Sequence, residues 1–321
     1  MLPVVYGIQD LGQDGNLSRI GNNVVEGLSN GAILALIAIG YTLVYGIIEL
    51  INFAHGEIFM IGALTAAALY GTFGLTEGTG TGGLILGLLA VLLLAMLVSS
   101  SLNAMIERVA YRPLRGAPKL APLITAVGMS FILQNVGILW IGASQRSQPD
   151  LIGAQKELVD IAGLSISRGD LLAVAVTIPL VFLLTSFVAR SRLGKAMRAT
   201  AQDPEAARLM GINVDTTISL TFLLGGLLAG AAGLISTLYQ TQVWFFQGFS
   251  AGLYAFTAAV MGGIGNIRGA VLGGFIIGVI QGVADNRIGN DWTPAIVFAY
   301  LVLIMVFRPQ GLLGEETREA G

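Results

Sequence analysis

The chain has little with which to do covalent chemistry. It contains no cysteine and a single histidine, His55. Thiolate nucleophiles, disulfides, cysteine metal sites and a histidine-rich zinc cluster are therefore excluded. Ser99, Ser100 and Ser101 have no histidine near them in sequence, and one histidine completes neither a catalytic triad nor a metal site. Gly194-Lys195 is followed by alanine and lacks the preceding glycine spacing, so no phosphate loop of the G-x-x-x-x-G-K-[ST] type is present. The expectation is a chain that is not an enzyme, with no catalytic residue, no metal and no cofactor of its own.

Polar residues within apolar surroundings remain to be explained. Asn52, His55 and Glu57 fall in the segment INFAHGE, between two apolar runs. At membrane depth such groups are expensive and mark a pathway or a broken helix. In a turn at the cytoplasmic surface they would cost little, and both readings stay open. Histidine is the side chain that titrates near neutrality, although a lone one is more often a hydrogen-bonding residue than a switch. Gln134 and Asn135 sit in the middle of an apolar run, where their amides must find partners inside a bundle or water in a cavity. They either pin helices together or line a pathway. Glu107-Arg108 and Asp285-Arg287 lie at the ends of apolar runs and read as ordinary interfacial charges.

The elements that must position these groups follow from composition. Of 321 residues, 55% are hydrophobic and 11% charged, whereas a soluble domain carries roughly a quarter charged residues. The solvent for most of the chain is therefore lipid. A membrane-crossing helix needs about 20 mostly apolar residues, and such runs occur near 24–48, 52–70, 84–106, 121–142, 170–189, 216–239, 251–264, 269–284 and 292–307. Their length and lack of strict alternation exclude barrel strands. The prediction is an all-α polytopic transmembrane helical bundle of about nine spans, with about 8 to 10 as the range. The first nineteen residues lack the basic and apolar regions of a secretory signal. A polar N-terminal segment (1–23), a transmembrane domain (24–307) and a tail (308–321) make up the chain.

Basic loops stay on the cytoplasmic side of a membrane. Arg108, Arg112, Arg115 and Lys119 crowd one loop, and Arg190, Arg192, Lys195, Arg198 and Arg208 another. Arg268, Arg308 and Arg318 fall on the same side of the alternation, and Arg19, Arg146, Lys156, Arg168 and Arg287 on the other. This places the N-terminus outside and the C-terminus in the cytoplasm. The formal net charge of −2 gives no basic face for nucleic acid.

Small residues four apart let helix backbones approach closely in lipid. Gly265, Gly269 and Gly273 form one such row, Gly274, Gly278 and Gly282 a second, and Gly226 and Gly230 a shorter third. They suit packing within one subunit or a contact between subunits.

The loop 190–215 has its own helix grammar. Asp203 suits an N-cap and Pro204 the first helical position. Glu205 favours the positive end of the helix dipole, and Gly211 a left-handed C-terminal cap. A short helix over about 203–210 at the membrane surface is predicted, either lying on lipid headgroups or seated on another protein.

Glu205-Ala206-Ala207, then Arg208 and Gly211, resemble the EAA-x-x-x-G pattern by which permeases of ABC importers engage their ATPases. The isoleucine-x-leucine-proline ending of many such loops is absent. Residues 41–64 (YTLVYGIIELINFAHGEIFMIGAL), 106–115 (IERVAYRPLR), 256–274 (FTAAVMGGIGNIRGAVLGG) and 308–314 (RPQGLLG) are similar to the branched-chain amino acid permease family of LivH type, in that family's order. The resemblance implies a bacterial inner-membrane permease working by alternating access on branched-chain or other neutral amino acids. Its implied partners are a second related permease subunit, two cytoplasmic ATPase subunits carrying ATP and Mg, and an extracytoplasmic substrate-binding protein. The same importer class acting on urea or short amides is an alternative. An ion-coupled secondary transporter is another, disfavoured by the scarcity of carboxylates within the spans.

Overall fold

A computed structural model of the chain describes residues 4–7, 10, 17–118, 120–161 and 163–314. Lys119, Arg318 and parts of the two terminal segments lie outside the described residues.

Helix dominates. The principal helices are α1 (Ser18–Ile48), α2 (His55–Thr72), α3 (Thr81–Ile106), α4 (Leu120–Ile141), α5 (Arg168–Arg190), α6 (Arg192–Gln202), α7 (Pro204–Leu209), α8 (Val214–Gln240), α9 (Gln247–Gly262), α10 (Ile267–Arg287) and α11 (Thr293–Phe307). Among the described residues, six stretches are long and apolar enough to cross a membrane: α1, α3 with the turns after it, α4, α5, α8 and α10. The chain is thus a multi-pass helical membrane protein. α2, α9 and α11 are shorter, at 18, 16 and 15 residues.

The core is a bundle of α1, α2, α8, α9 and α10, with α3 beside α8. The contacts are paired. α1 runs along α10 as α8 runs along α3, α2 rests on α8 as α9 rests on α1, and α4 meets α2 as α11 meets α9. That exchange is the pattern of two related four-helix units, α1–α4 and α8–α11, as in proteins built from internal repeats. Outward faces of the flanking helices are apolar and bare: Leu139 is 87% and Phe307 77% exposed, as expected of side chains that meet lipid.

Glycine sets the closest approaches. A Cβ on Gly27 would stand 2.7 Å from the Val279 Cα, and one on Gly282 2.8 Å from the Gly27 Cα. Across α8 and α3, Cβ atoms on Gly226 and Gly230 would stand 2.6 Å and 2.7 Å from the Ser100 and Met96 Cα atoms. Gly274, Gly278 and Gly282 thus face α1, whereas Gly269 and Gly273 face the C-terminal part of α9. Gly265 departs from its expected row. It lies in the turn before α10 at φ +94°, and a Cβ there would meet nothing within 4 Å among the described residues. Its role is conformational, because that φ suits glycine.

The connection 142–167 carries short strands. β2 (Glu157–Ile161) pairs antiparallel with β3 (Leu164–Ser167), and β1 (Arg146–Ser147) with β4 (Gln242–Val243) after α8. Ser167 then caps α5 in a reciprocal box with Asp170.

Candidate functional site

α1 ends at Ile48, and Glu49 leaves it in the left-handed region at φ 52°. A non-helical link then leads to α2 at His55. The surface-turn reading of INFAHGE does not hold: Asn52 is buried, and His55 and Glu57 have no exposure at all. The first turn of α2 can enter the bundle because Gly56 meets α9 at Gly248 and Gly252, where a Cβ on Gly252 would stand 2.9 Å from the Gly56 Cα.

Each polar group of the segment reaches a different helix. Glu57 Oε1 accepts from Ser130 Oγ at 3.1 Å and from Gln134 Nε2 at 2.9 Å, both on α4. Gly248 lies against the other oxygen, which a Cβ there would strike. The His55 ring fills the space beside Gly40 and sits edge-on to Tyr41, with ring centroids 4.9 Å apart. Asn52 accepts from Tyr111 Oη at 2.7 Å and donates weakly, at 3.5 Å, to Asn103. Asn103 donates on to the Phe222 carbonyl of α8 at 2.6 Å. A break in α1–α2 is thereby tied to α3, α4, α8 and α9. Asn135 is not part of this cluster: it is exposed and donates to the Phe131 carbonyl of its own helix at 2.8 Å.

Of the Glu107-Arg108 pair read as interfacial, Arg108 is exposed, whereas Glu107 is fully buried. A π-helical turn, Glu107–Tyr111, buries both of its end residues. Glu107 pairs with Arg115 and accepts from Ser219 Oγ at 2.6 Å. Arg115 also reaches Asp215 at 2.5 Å, and Arg112 reaches the same carboxylate at 2.9 Å. The loop after α3 is thereby clamped to the first turn of α8, directly beyond the connector. Arg287 is likewise enclosed, paired with buried Asp10 at 2.5 Å.

The connector forms as its sequence requires. Asp203 Oδ1 accepts from the Glu205 and Ala206 amides at 2.8 and 2.9 Å, Pro204 opens α7, and Gly211 follows at φ +84°. Arg198 of α6 donates to the Val188 carbonyl at 2.5 Å and the Ala189 carbonyl at 3.3 Å, satisfying the end of α5. One expectation reverses. Ala207, within the run that resembles the ATPase-engaging pattern, is only 4% exposed and packs into this chain's own core. The outward apolar surface belongs instead to Leu209 and Met210, 89% and 83% exposed, flanked by exposed Glu205, Ala206 and Arg208.

Sequence reading did not single out Ser130, Asn103, Tyr111, Gly248, Gly252 or the Leu209–Met210 pair. Two spacings were legible: Ser130 lies four residues before Gln134, and Gly248 four before Gly252. The partners of Asn52 lie far along the chain and carry no local signal.

Fold and site together define a multi-pass membrane protein with a broken-helix core and a polar connector between the long helices α5 and α8. Residues 23–306 match the family described as branched-chain amino acid transport system / permease component. The chain is 43% identical over 296 residues to the high-affinity branched-chain amino acid transport system permease protein BraD of Pseudomonas aeruginosa, covering 91% of this chain and 94% of the relative. It is 40% identical over 291 residues to the corresponding protein LivH of Escherichia coli, covering 90% and 94%. The fructose import permease protein FrcC of Rhizobium meliloti is more distant, 30% identical over 199 residues, covering 59% of this chain and 54% of that one. The chain belongs to the branched-chain amino acid transport permease family.

Proposed function

We propose that this chain is the permease subunit of an ATP-driven importer in the bacterial inner membrane, carrying branched-chain or other neutral amino acids inward by alternating access. The observation that carries the reading is 43% identity to a branched-chain amino acid permease across nearly the whole of both chains. The contrast with the sugar permease, similar over only part of its length, favours amino acids over another cargo. Urea or short amides remain the alternative cargo.

In this reading the six long helices and the three shorter ones make nine spans, with the N-terminus outside and the C-terminus in the cytoplasm. The placement of charge supports that orientation. The Arg112–Asp215 and Arg115–Asp215 pairs hold the loop after α3 beside the connector. The Leu312 and Leu313 amides donate to the Met261 and Gly262 carbonyls, and the Asn266 side chain donates to the Leu313 carbonyl. This brings the turn before α10 and residues 308–314 together. The basic loops and the tail then share one face, as basic cytoplasmic loops should. ATP and Mg act on two separate cytoplasmic ATPase subunits. Residues 203–211 form the coupling helix, with Leu209 and Met210 as its apolar contact, and the ion-paired α3–α8 joint beside it receives the movement. A second related permease subunit and an extracytoplasmic binding protein complete the assembly.

The test is uptake of labelled leucine, isoleucine and valine by vesicles reconstituted with the permease, its partner subunits and the loaded binding protein. Uptake should require ATP on the ATPase side and survive an ionophore. Uptake driven by an ion gradient without ATP would refute the reading, and uptake of urea alone would change the cargo.

A further inference from the structure

At the end of the bundle opposite the connector, two adjoining cavities of about 830 Å³ and 340 Å³ share Asn30, Gln240, Gln281, Asp285 and Asn290 in their walls. Their sizes lie in the range of small-molecule sites. The outer cavity has the carboxylates Glu26, Glu157, Asp170 and Asp285 in its wall, and no lysine, arginine or histidine among the described residues lines either cavity. A one-sign lining in a cleft concentrates counter-ions, so the vestibule selects for positive charge. The carboxylates are spread out: among the described residues, no group of three or more His, Cys, Asp or Glu could hold a metal ion. A ligand carrying an organic ammonium group fits this arrangement better.

Asp285 stands where the cavities meet and has no cationic partner among the described residues; Thr293 Oγ1 donates to it. The inner cavity adds the rings of Trp244 and Tyr254, the apolar side chains of Ile33, Leu34 and Phe59, and Gln247. The Gln247 Nε2 is buried and has no hydrogen-bond partner among the described residues, a donor that is costly to leave unmade.

We infer that this inner cavity is a binding site for a zwitterionic aliphatic α-amino acid within the permease itself. The ammonium group pairs with Asp285 beside the Tyr254 and Trp244 rings, which favour cations over their faces. The carboxylate takes the free Gln247 amide donor. The aliphatic chain lies against Ile33, Leu34 and Phe59. This inference rests on the proposed import of amino acids. It adds that the permease recognises cargo directly, rather than passing whatever the binding protein releases.

The absence of native cysteine makes a reporter clean. Ser250→Cys, or Ala251→Cys as a second position, is placed at the inner cavity in the assembled transporter. Modification rates are compared for positively and negatively charged methanethiosulfonates of similar size. The cationic reagent should react roughly tenfold faster, and Asp285→Asn should remove most of that preference. Leucine at millimolar concentration should slow the reaction, while 4-methylpentanoate, which keeps the chain and carboxylate but lacks the ammonium, should not. Equal rates for the two reagents, protection by both compounds, or protection by neither would overturn the site. Failure of the wild-type assembly to import leucine would instead remove the parent reading. Normal import with no charge preference and no protection removes this inference alone.

Discussion

Neighbouring amides on α4 have opposite environments. Gln134 donates to the buried carboxyl of Glu57, whereas Asn135 is exposed and bonded to its own helix. Both residues interrupt the same apolar run, and sequence could say only that each needs a partner. One step along a helix turns a side chain by about 100°, which separates a core-facing position from an outward one. Gln134→Leu should therefore remove a donor from a buried acceptor and lower stability by about 1–3 kcal/mol. Asn135→Leu should change stability by less than about 0.5 kcal/mol. Thermal unfolding of the purified chain in detergent checks the pair, and equal losses would show that the Glu57 cluster does not hold α2 to α4. The same geometry corrects Ala207. Its small size was legible, but the neighbour that needs it small is this chain's own core.

At the scale of elements, helix positions were readable because hydropathy and length decide which segments lipid accepts. The α7 cap was readable because Asp203, Pro204 and Gly211 act on backbone within a few residues. The strand β1 was not legible because its pairing partner, residues 242–243, is distant in the chain. The glycine rows were visible as rows, but not which helix each faces. The structure separates them and moves Gly265 into a turn. A consequence follows for substitution. Gly278→Ala puts its methyl group into the backbone of α1 at Gly27 and Gly31, whereas Gly128→Ala on α4 meets nothing within 4 Å. The first should cost about 1–3 kcal/mol through overpacking, and the second should be neutral or slightly stabilising through helix propensity. Yield and melting temperature of the two variants should diverge, and equal behaviour would contradict the close α1–α10 contact.

For the whole molecule, orientation and coupling are the central matters. Residues 107–118, the connector and 308–314 share the cytoplasmic face in the proposed topology. A cysteine replacing exposed Ala201 should react with an impermeant maleimide only after cells are opened. One replacing exposed Glu157 should react in intact cells. The reverse pattern would invert the topology and remove the connector from the ATPases. Coupling is tested most directly at Leu209 and Met210. Ala207→Gln would disturb the core beneath α7, so loss of function there would not separate docking from misfolding. Leu209→Ser with Met210→Ser alters two side chains that stand clear of this chain. The decisive measurement is cargo-stimulated ATP hydrolysis by the reconstituted assembly, with ATPase co-purification and permease melting temperature recorded alongside. The double variant should keep the wild-type melting temperature, lose most of the bound ATPase and fall to unstimulated hydrolysis. Full co-purification with undiminished stimulation would contradict the coupling role of residues 203–211.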